Sequence, residues 1–171
     1  MYECYFVSSF SNGTISIIHY FYGVAFYLMF GLGILVSMPV HQVSSLELLD
    51  SSDAINITFG IFGFLLASYM QHKTMRTFAT LRFKERDKQA RGHYIPAGHL
   101  FEWVSSPHYL CEVLLYLSLC VITRWKNTYL VCTSMFVLAN QVSASLSVHA
   151  WYKQTFRNYP KTRKALVPFV L

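Results

Sequence analysis

The chain has 171 residues, of which 54% are hydrophobic, 17% aromatic and 13% charged, where an ordinary soluble domain carries roughly a quarter charged residues. That balance excludes an ordinary water-soluble domain. The formal net charge of +6 comes from residues clustered at the ends of apolar runs with no nucleic-acid motif beside them, so it points to anionic headgroups or a phosphorylated cofactor and not to DNA or RNA.

Residues 14–37 hold no Lys, Arg, Asp or Glu, which meets the need for about 20 mainly apolar residues to cross hydrocarbon. No basic segment precedes this run and no small-residue cleavage site follows it, so it reads as a retained helix. Residues 54–71 form a second span. Residues 128–148 form another, with small and polar residues suited to facing other helices. Residues 104–123 are long enough for one more but carry His108 and Glu112 inside an apolar run, and an ionisable group at such depth is a functional candidate by default. The expected fold is an all-α transmembrane bundle of about four spans forming a single membrane domain over residues 1–171.

All 14 Lys and Arg residues fall between the spans or after them: seven from Lys73 to Arg91, two at Arg124 and Lys126, and five from Lys153 to Lys164. The segment from Met38 to Asp53 has Glu47, Asp50 and Asp53 instead. The positive-inside rule then puts the 72–103 loop and the C-terminal tail in the cytosol, with the 38–53 loop and the short turn at Arg124 on the other side. Cys4, Cys111, Cys120 and Cys132 lack the paired spacing of a metal site or disulfide framework and read as packing residues.

Three polar islands fall at the expected cytosolic face. The first is a helix leaving the membrane with Gln71, Lys73, Arg76 and Arg82. The second runs from His93 to Glu112, where Pro96, Gly98 and Pro107 forbid one continuous helix. In it His108, Glu112 and Tyr116 recur every four residues and share a helix face. Glu112 could hold a ligand amide there or pair with a basic side chain of a neighbouring helix. A metal pair of His108 and Glu112 lacks a third ligand with convincing spacing. The third island runs from His149 to Phe169, with Tyr152 either a ligand contact or an interfacial anchor and Arg163 suited to bidentate recognition of phosphate. No GxGxxG is present, so a Rossmann-type site is not supported.

The segment YIPAGHLFEWVSSPHYLCE and the ending FRNYPKTRKALVPFVL resemble two signature motifs of the steroid 5-alpha-reductase family. The Ser-Ser-Pro-His-Tyr variant and the opening YECYFVSSFSNG are most similar to its polyprenol reductase branch, the enzymes of dolichol synthesis in the endoplasmic reticulum. The resemblance covers nearly the whole chain. It implies a helical bundle enclosing NADPH at its cytosolic side, with a polyprenyl lipid substrate entering from the bilayer and no metal.

The same resemblance implies cofactor contacts at Gln71, Arg82, Tyr94, His108, Glu112, His149, Tyr152 and Arg163, with Glu112 holding the nicotinamide carboxamide. At Tyr94 the family more often has Arg or Lys, and Gln71 stands where steroid-acting relatives have Asn. The opening YECYFVSSF resembles an interior stretch of the family, whose proton-donating Tyr, its partner Glu and a cofactor-contacting Arg precede it. No catalytic acid is therefore assigned within this chain, which is expected to be the C-terminal part of a reductase. Two alternatives stand beside that reading: an isoprenylcysteine methyltransferase-like enzyme, half echoed by Ser106-Pro107-His108-Tyr109, and a truncated non-catalytic membrane scaffold.

Overall fold

The structure, a computed structural model, describes residues 16–37, 51–87 and 94–170. Its element order is α1 (Ile17–Ser37), α2 (Ser51–Asp87), a 3-10 turn (His99–Glu102), α3 (Pro107–Ile122) and α4 (Thr128–Thr155). Among the described residues there is no strand, and the architecture is all-helical as expected. The helices α1, α2 and α4 are each long and apolar enough to cross a membrane, and α3 is a shorter apolar helix.

Lipid-facing helices are apolar all round, and α1 is the plainest case: Tyr20, Phe21, Tyr27, Leu28, Met29, Leu35 and Val36 are all exposed. In α2 the apolar run continues unbroken into the first polar island. Its 37 residues extend ~55 Å at 1.5 Å per residue, well beyond a hydrocarbon core of ~30 Å, so its basic second half stands clear of the bilayer.

Helix α3 departs from the expected span over 104–123. Pro107 occupies its first turn after Ser106 as N-cap, where the missing N–H and fixed φ of proline suit a helix start. Residues 104–106 instead run extended, with a parallel bridge from Val104 to Lys164. The 16 residues of α3 reach only ~24 Å. The helix ends at Thr123, and Arg124 and Trp125 turn the chain with φ of 54° and 60° before Asn127 caps α4 by accepting from the Leu130 N–H at 3.0 Å.

Both ends of the bundle are tied by polar contacts. At one end Arg124 pairs with Asp53 at the start of α2, and the Asn127 amide donates to Ser37 Oγ at 2.9 Å. This sets the C-terminus of α1, the N-termini of α2 and α4 and the end of α3 on one side, the alternation that the charge pattern requires. At the other end the tail folds back under the bundle. Lys164 N–H donates to the Trp103 carbonyl at 3.0 Å, Ser105 N–H donates to the Lys164 carbonyl at 2.8 Å, and Ala165 and Leu166 are buried.

Within the membrane α2 and α3 approach closely because two glycines face the contact. A Cβ on Gly60 would lie 2.6 Å from Ile122 Cγ1 and 3.0 Å from both the Ile122 nitrogen and the Ser118 carbonyl oxygen, and one on Gly63 would lie 2.9 Å from Ser118 Oγ. Without a hydrophobic force between helices in lipid, such small-residue contacts carry the association. Cys111 and Cys120 are buried in the packing, Cys120 Sγ lying 3.1 Å from Ser134 Oγ, while Cys132 is exposed; Cys4 lies outside the described residues. We expect Gly60→Leu to push α2 from α3 and destabilise the protein in detergent by about 1–3 kcal/mol. Thermal melting checks it, and an unchanged melt would mean that the glycine contact carries no packing.

Candidate functional site at the proline-marked end of α3

The polar islands converge where α3 begins. His108, Glu112 and Tyr116 do share one face, and each meets a different element. The His108 ring lies edge-on to Phe78 of α2, with centroids 5.3 Å apart, and Phe78 in turn meets Phe101 of the 3-10 turn at 5.2 Å. Tyr116 packs on Phe30 of α1 at 5.2 Å. Glu112 Oε2 accepts a hydrogen bond from Gln141 Nε2 of α4 at 2.8 Å.

That last contact bears on the two expectations for Glu112: among the described residues its partner on α4 is a neutral amide, and no basic side chain pairs with it. A carboxylate has about four lone-pair sites, and one Gln N–H occupies one of them, so the group keeps capacity for further donors such as a carboxamide. Gln141 was not singled out from the sequence, although a signal existed: Gln141, Ser145 and His149 descend α4 at four-residue intervals and form a polar stripe on one face. Gln141 and Ser145 are both buried.

His149 reaches across to the extended segment, its Nδ1 lying 2.5 Å from Ser105 Oγ. Ser105 Oγ also meets the Tyr159 hydroxyl at 2.6 Å and the Lys164 carbonyl at 3.1 Å. Tyr152 is buried between aromatic rings, stacked on Tyr159 at 5.3 Å with 13° between planes and on Phe156 at 5.9 Å. It is thus a packing member of the tail junction and not a lipid-exposed anchor.

Arg163 is 5% exposed and works as a strut. Its Nη1 donates to the Pro96 carbonyl at 2.8 Å, its Nη2 lies 3.9 Å from Glu102, and its guanidinium sits 5.7 Å from the Tyr159 ring centroid. Gly98 makes the strap possible. Its φ of 91° suits a residue without Cβ, and its N–H donates to Glu102 Oε1 at 2.7 Å. Tyr94, at the start of the strap, is 37% exposed. Gln71 is half-buried on α2; it shares a face with Thr74 and Phe78 by their spacing of three and seven residues, which sets it on the side of α2 that meets His108. The Arg82 side chain lies outside the described residues.

Three buried side-chain atoms at this end, Ser106 Oγ, His108 Nδ1 and Arg163 Nε, have no hydrogen-bond partner. Buried polar atoms ordinarily find partners, and each exception requires a reason. A ligand with several polar groups is one, and an anion or amide suits this set: the Arg163 N–H donor, an imidazole nitrogen, a hydroxyl, and a carboxylate with spare lone pairs. The residues therefore fit a dinucleotide such as NADPH. Among the described residues no group of three or more His, Cys, Asp or Glu is placed to hold a metal ion.

The family description "3-oxo-5-alpha-steroid 4-dehydrogenase" matches residues 13–171. The chain is 35% identical over 99% of its length to the polyprenal reductase of Danio rerio, 36% over 98% to that of Xenopus tropicalis and 34% over 99% to that of Homo sapiens. In each case it covers 55% of the relative, so it spans about half the length of the curated relatives it matches. With the match running through every described helix and both polar ends of the site, the chain belongs to the 3-oxo-5-alpha-steroid 4-dehydrogenase family, the steroid 5-alpha-reductases.

Proposed function

We propose that the chain is part of an oxidoreductase that uses NADPH to reduce the double bond of the alpha isoprene unit of a polyprenyl lipid, at the polyprenal level, in dolichol synthesis for protein N-glycosylation at the endoplasmic reticulum membrane. The observation that carries this reading is likeness over nearly the whole chain to relatives named polyprenal reductase. The Glu112–Gln141 pair, held one helical turn from His108 with buried unpaired polar atoms around it, supports a nicotinamide site. Glu112 would accept from the carboxamide N–H2 while Gln141 fixes the carboxylate's rotamer. His108, His149, Tyr152, Gln71 and Tyr94 would line the rest, Arg82 would face the phosphates, and Arg163, whose Nη1 holds the Pro96 carbonyl, would offer its unpartnered Nε. The cytosolic side follows from the basic residues around α2 and the tail.

Bound NADPH supplies the hydride. What the chain's own residues do is hold the cofactor, orient its amide and keep bulk water from the reacting carbon. Hydride addition to carbon needs an acceptor that absorbs the developing charge, and an isolated allylic alcohol has none. An enal does, its oxygen taking the charge when a donor polarises it. Purified full-length enzyme with NADPH is therefore expected to reduce polyprenal. Reduction of polyprenol with polyprenal untouched would overturn the aldehyde assignment, and no NADPH oxidation with either lipid would overturn the reductase reading.

Glu112 gives a second test, because its hydrogen-bond partner among the described residues is neutral. Removing the charge breaks no ion pair among those residues, so Glu112→Gln is expected to keep the melting temperature of the cofactor-free protein close to wild type. Loss of a charge-assisted hydrogen bond of about 1.5–3 kcal/mol should weaken NADPH roughly tenfold to a hundredfold. Calorimetric titration together with melting curves checks both. A variant that melts far lower yet binds NADPH as wild type does would make Glu112 structural.

A further inference from the structure

The contact of His149 with Ser105 raises a question that geometry answers: which ring nitrogen carries the hydrogen. Ser105 Oγ has one proton and three neighbours, His149 Nδ1 at 2.5 Å, the Tyr159 hydroxyl at 2.6 Å and the Lys164 carbonyl at 3.1 Å. The carbonyl contact is the longest of the three and just beyond the range of about 2.5–3.0 Å for O–H···O bonds, and that oxygen also accepts the Ser105 N–H at 2.8 Å, so the two shorter contacts have the stronger claim on the hydroxyl proton.

The proton then goes to His149 or to Tyr159. A phenol is a stronger acid than an aliphatic alcohol and the better donor, while an unprotonated imidazole nitrogen is a better acceptor than a phenolic oxygen. Both preferences run the same way, from Tyr159 to Ser105 to His149. A chain of bonds pointing one way polarises each member in turn. The donor at its head is held firmly: Tyr159 is buried, stacked on Tyr152, with the Arg163 guanidinium 5.7 Å from its ring centroid.

We infer that Ser105 is a positioning residue for His149: relaying from Tyr159, it donates to Nδ1 and locks the neutral ring in the Nε2–H form, so that His149 offers the bound cofactor a donor and not an acceptor. The bond made by one ring nitrogen decides the state of the other. The inference rests on the proposed function for the identity of the ligand, and on the hydrogen-bond chain alone for the tautomer. It gives the Ser of the sequence Val104-Ser105-Ser106 a role in the site, although the tail around Lys164 covers it.

The test uses the protein reconstituted in lipid with 15N-labelled histidine, cofactor-free, at a pH where the ring is neutral, with the His149 signals assigned by their loss in His149→Gln. Wild type and Ser105→Thr, which keeps the hydroxyl, are expected to show unprotonated Nδ1 and protonated Nε2. Ser105→Ala is expected to show mixed tautomers and to bind NADPH roughly tenfold more weakly, as loss of one hydrogen bond of about 1.5 kcal/mol implies, with affinity restored in the Thr variant. Tyr159→Phe removes the head of the chain but leaves the Ser105 proton on His149, so the Nε2–H form should persist. If Ser105→Ala does not fold, the wild-type tautomer still decides whether Ser105 donates to His149. An Nδ1–H ring in wild type, an unshifted tautomer in Ser105→Ala, or unchanged NADPH affinity in that variant overturns the inference. A wild type that binds no NADPH overturns the proposed function instead, and the tautomer measurement on the cofactor-free protein then decides the hydrogen-bond chain on its own.

Discussion

A helix of 16 residues spans ~24 Å, short of a hydrocarbon core of ~30 Å, and α3 is packed beside α2 and α4, both of which run longer. Its other end is fixed level with its neighbours by Arg124 on Asp53 and Asn127 on Ser37. The deficit therefore falls at the Pro107 end. There the chain leaves the helix short of the ends of α2 and α4 and beside them, where backbone polar groups covered by the neighbouring helices need protein partners.

Much of the rest follows from that one constraint. Just before the helix, the Ser105 N–H and the Trp103 carbonyl take their backbone partners from Lys164, and the tail returns beneath the bundle to supply them. The Arg163 guanidinium closes the strap from Pro96, and Ser105 joins His149 to Tyr159. The unpartnered Ser106, His108 and Arg163 atoms lie at this same end, where the proposed reading sets the cofactor.

The helices were legible from the sequence because each contains a long, mainly apolar run, and α2 continued into the first island because no Gly or Pro interrupts 64–87. Pro96, Gly98 and Pro107 correctly broke the second island. The start of α3 at Pro107 in place of 104 was also written there, in the preference of proline for a first helical turn. What the sequence concealed were partners distant along the chain. Nothing near Glu112 indicates that Gln141 will be its neighbour, and nothing near Arg163 shows that the Pro96 carbonyl will take one of its N–H groups. Ser105 looked like one residue of a motif. Its three contacts come from positions 44, 54 and 59 residues away, brought together only when the tail folds back.

In the proposed reading the cofactor binds at the Pro107 end of α3, with its carboxamide on the Glu112–Gln141 pair. The decisive measurement is a structure of the full-length enzyme in lipid with NADPH bound. The carboxamide is expected within hydrogen-bond distance of the Glu112 carboxylate, with Gln141 still donating to it and the dinucleotide running toward His149 and the tail. A cofactor bound elsewhere, with Glu112 bonded to Gln141 alone and ordered water on the unpaired atoms of Ser106 and His108, would contradict it.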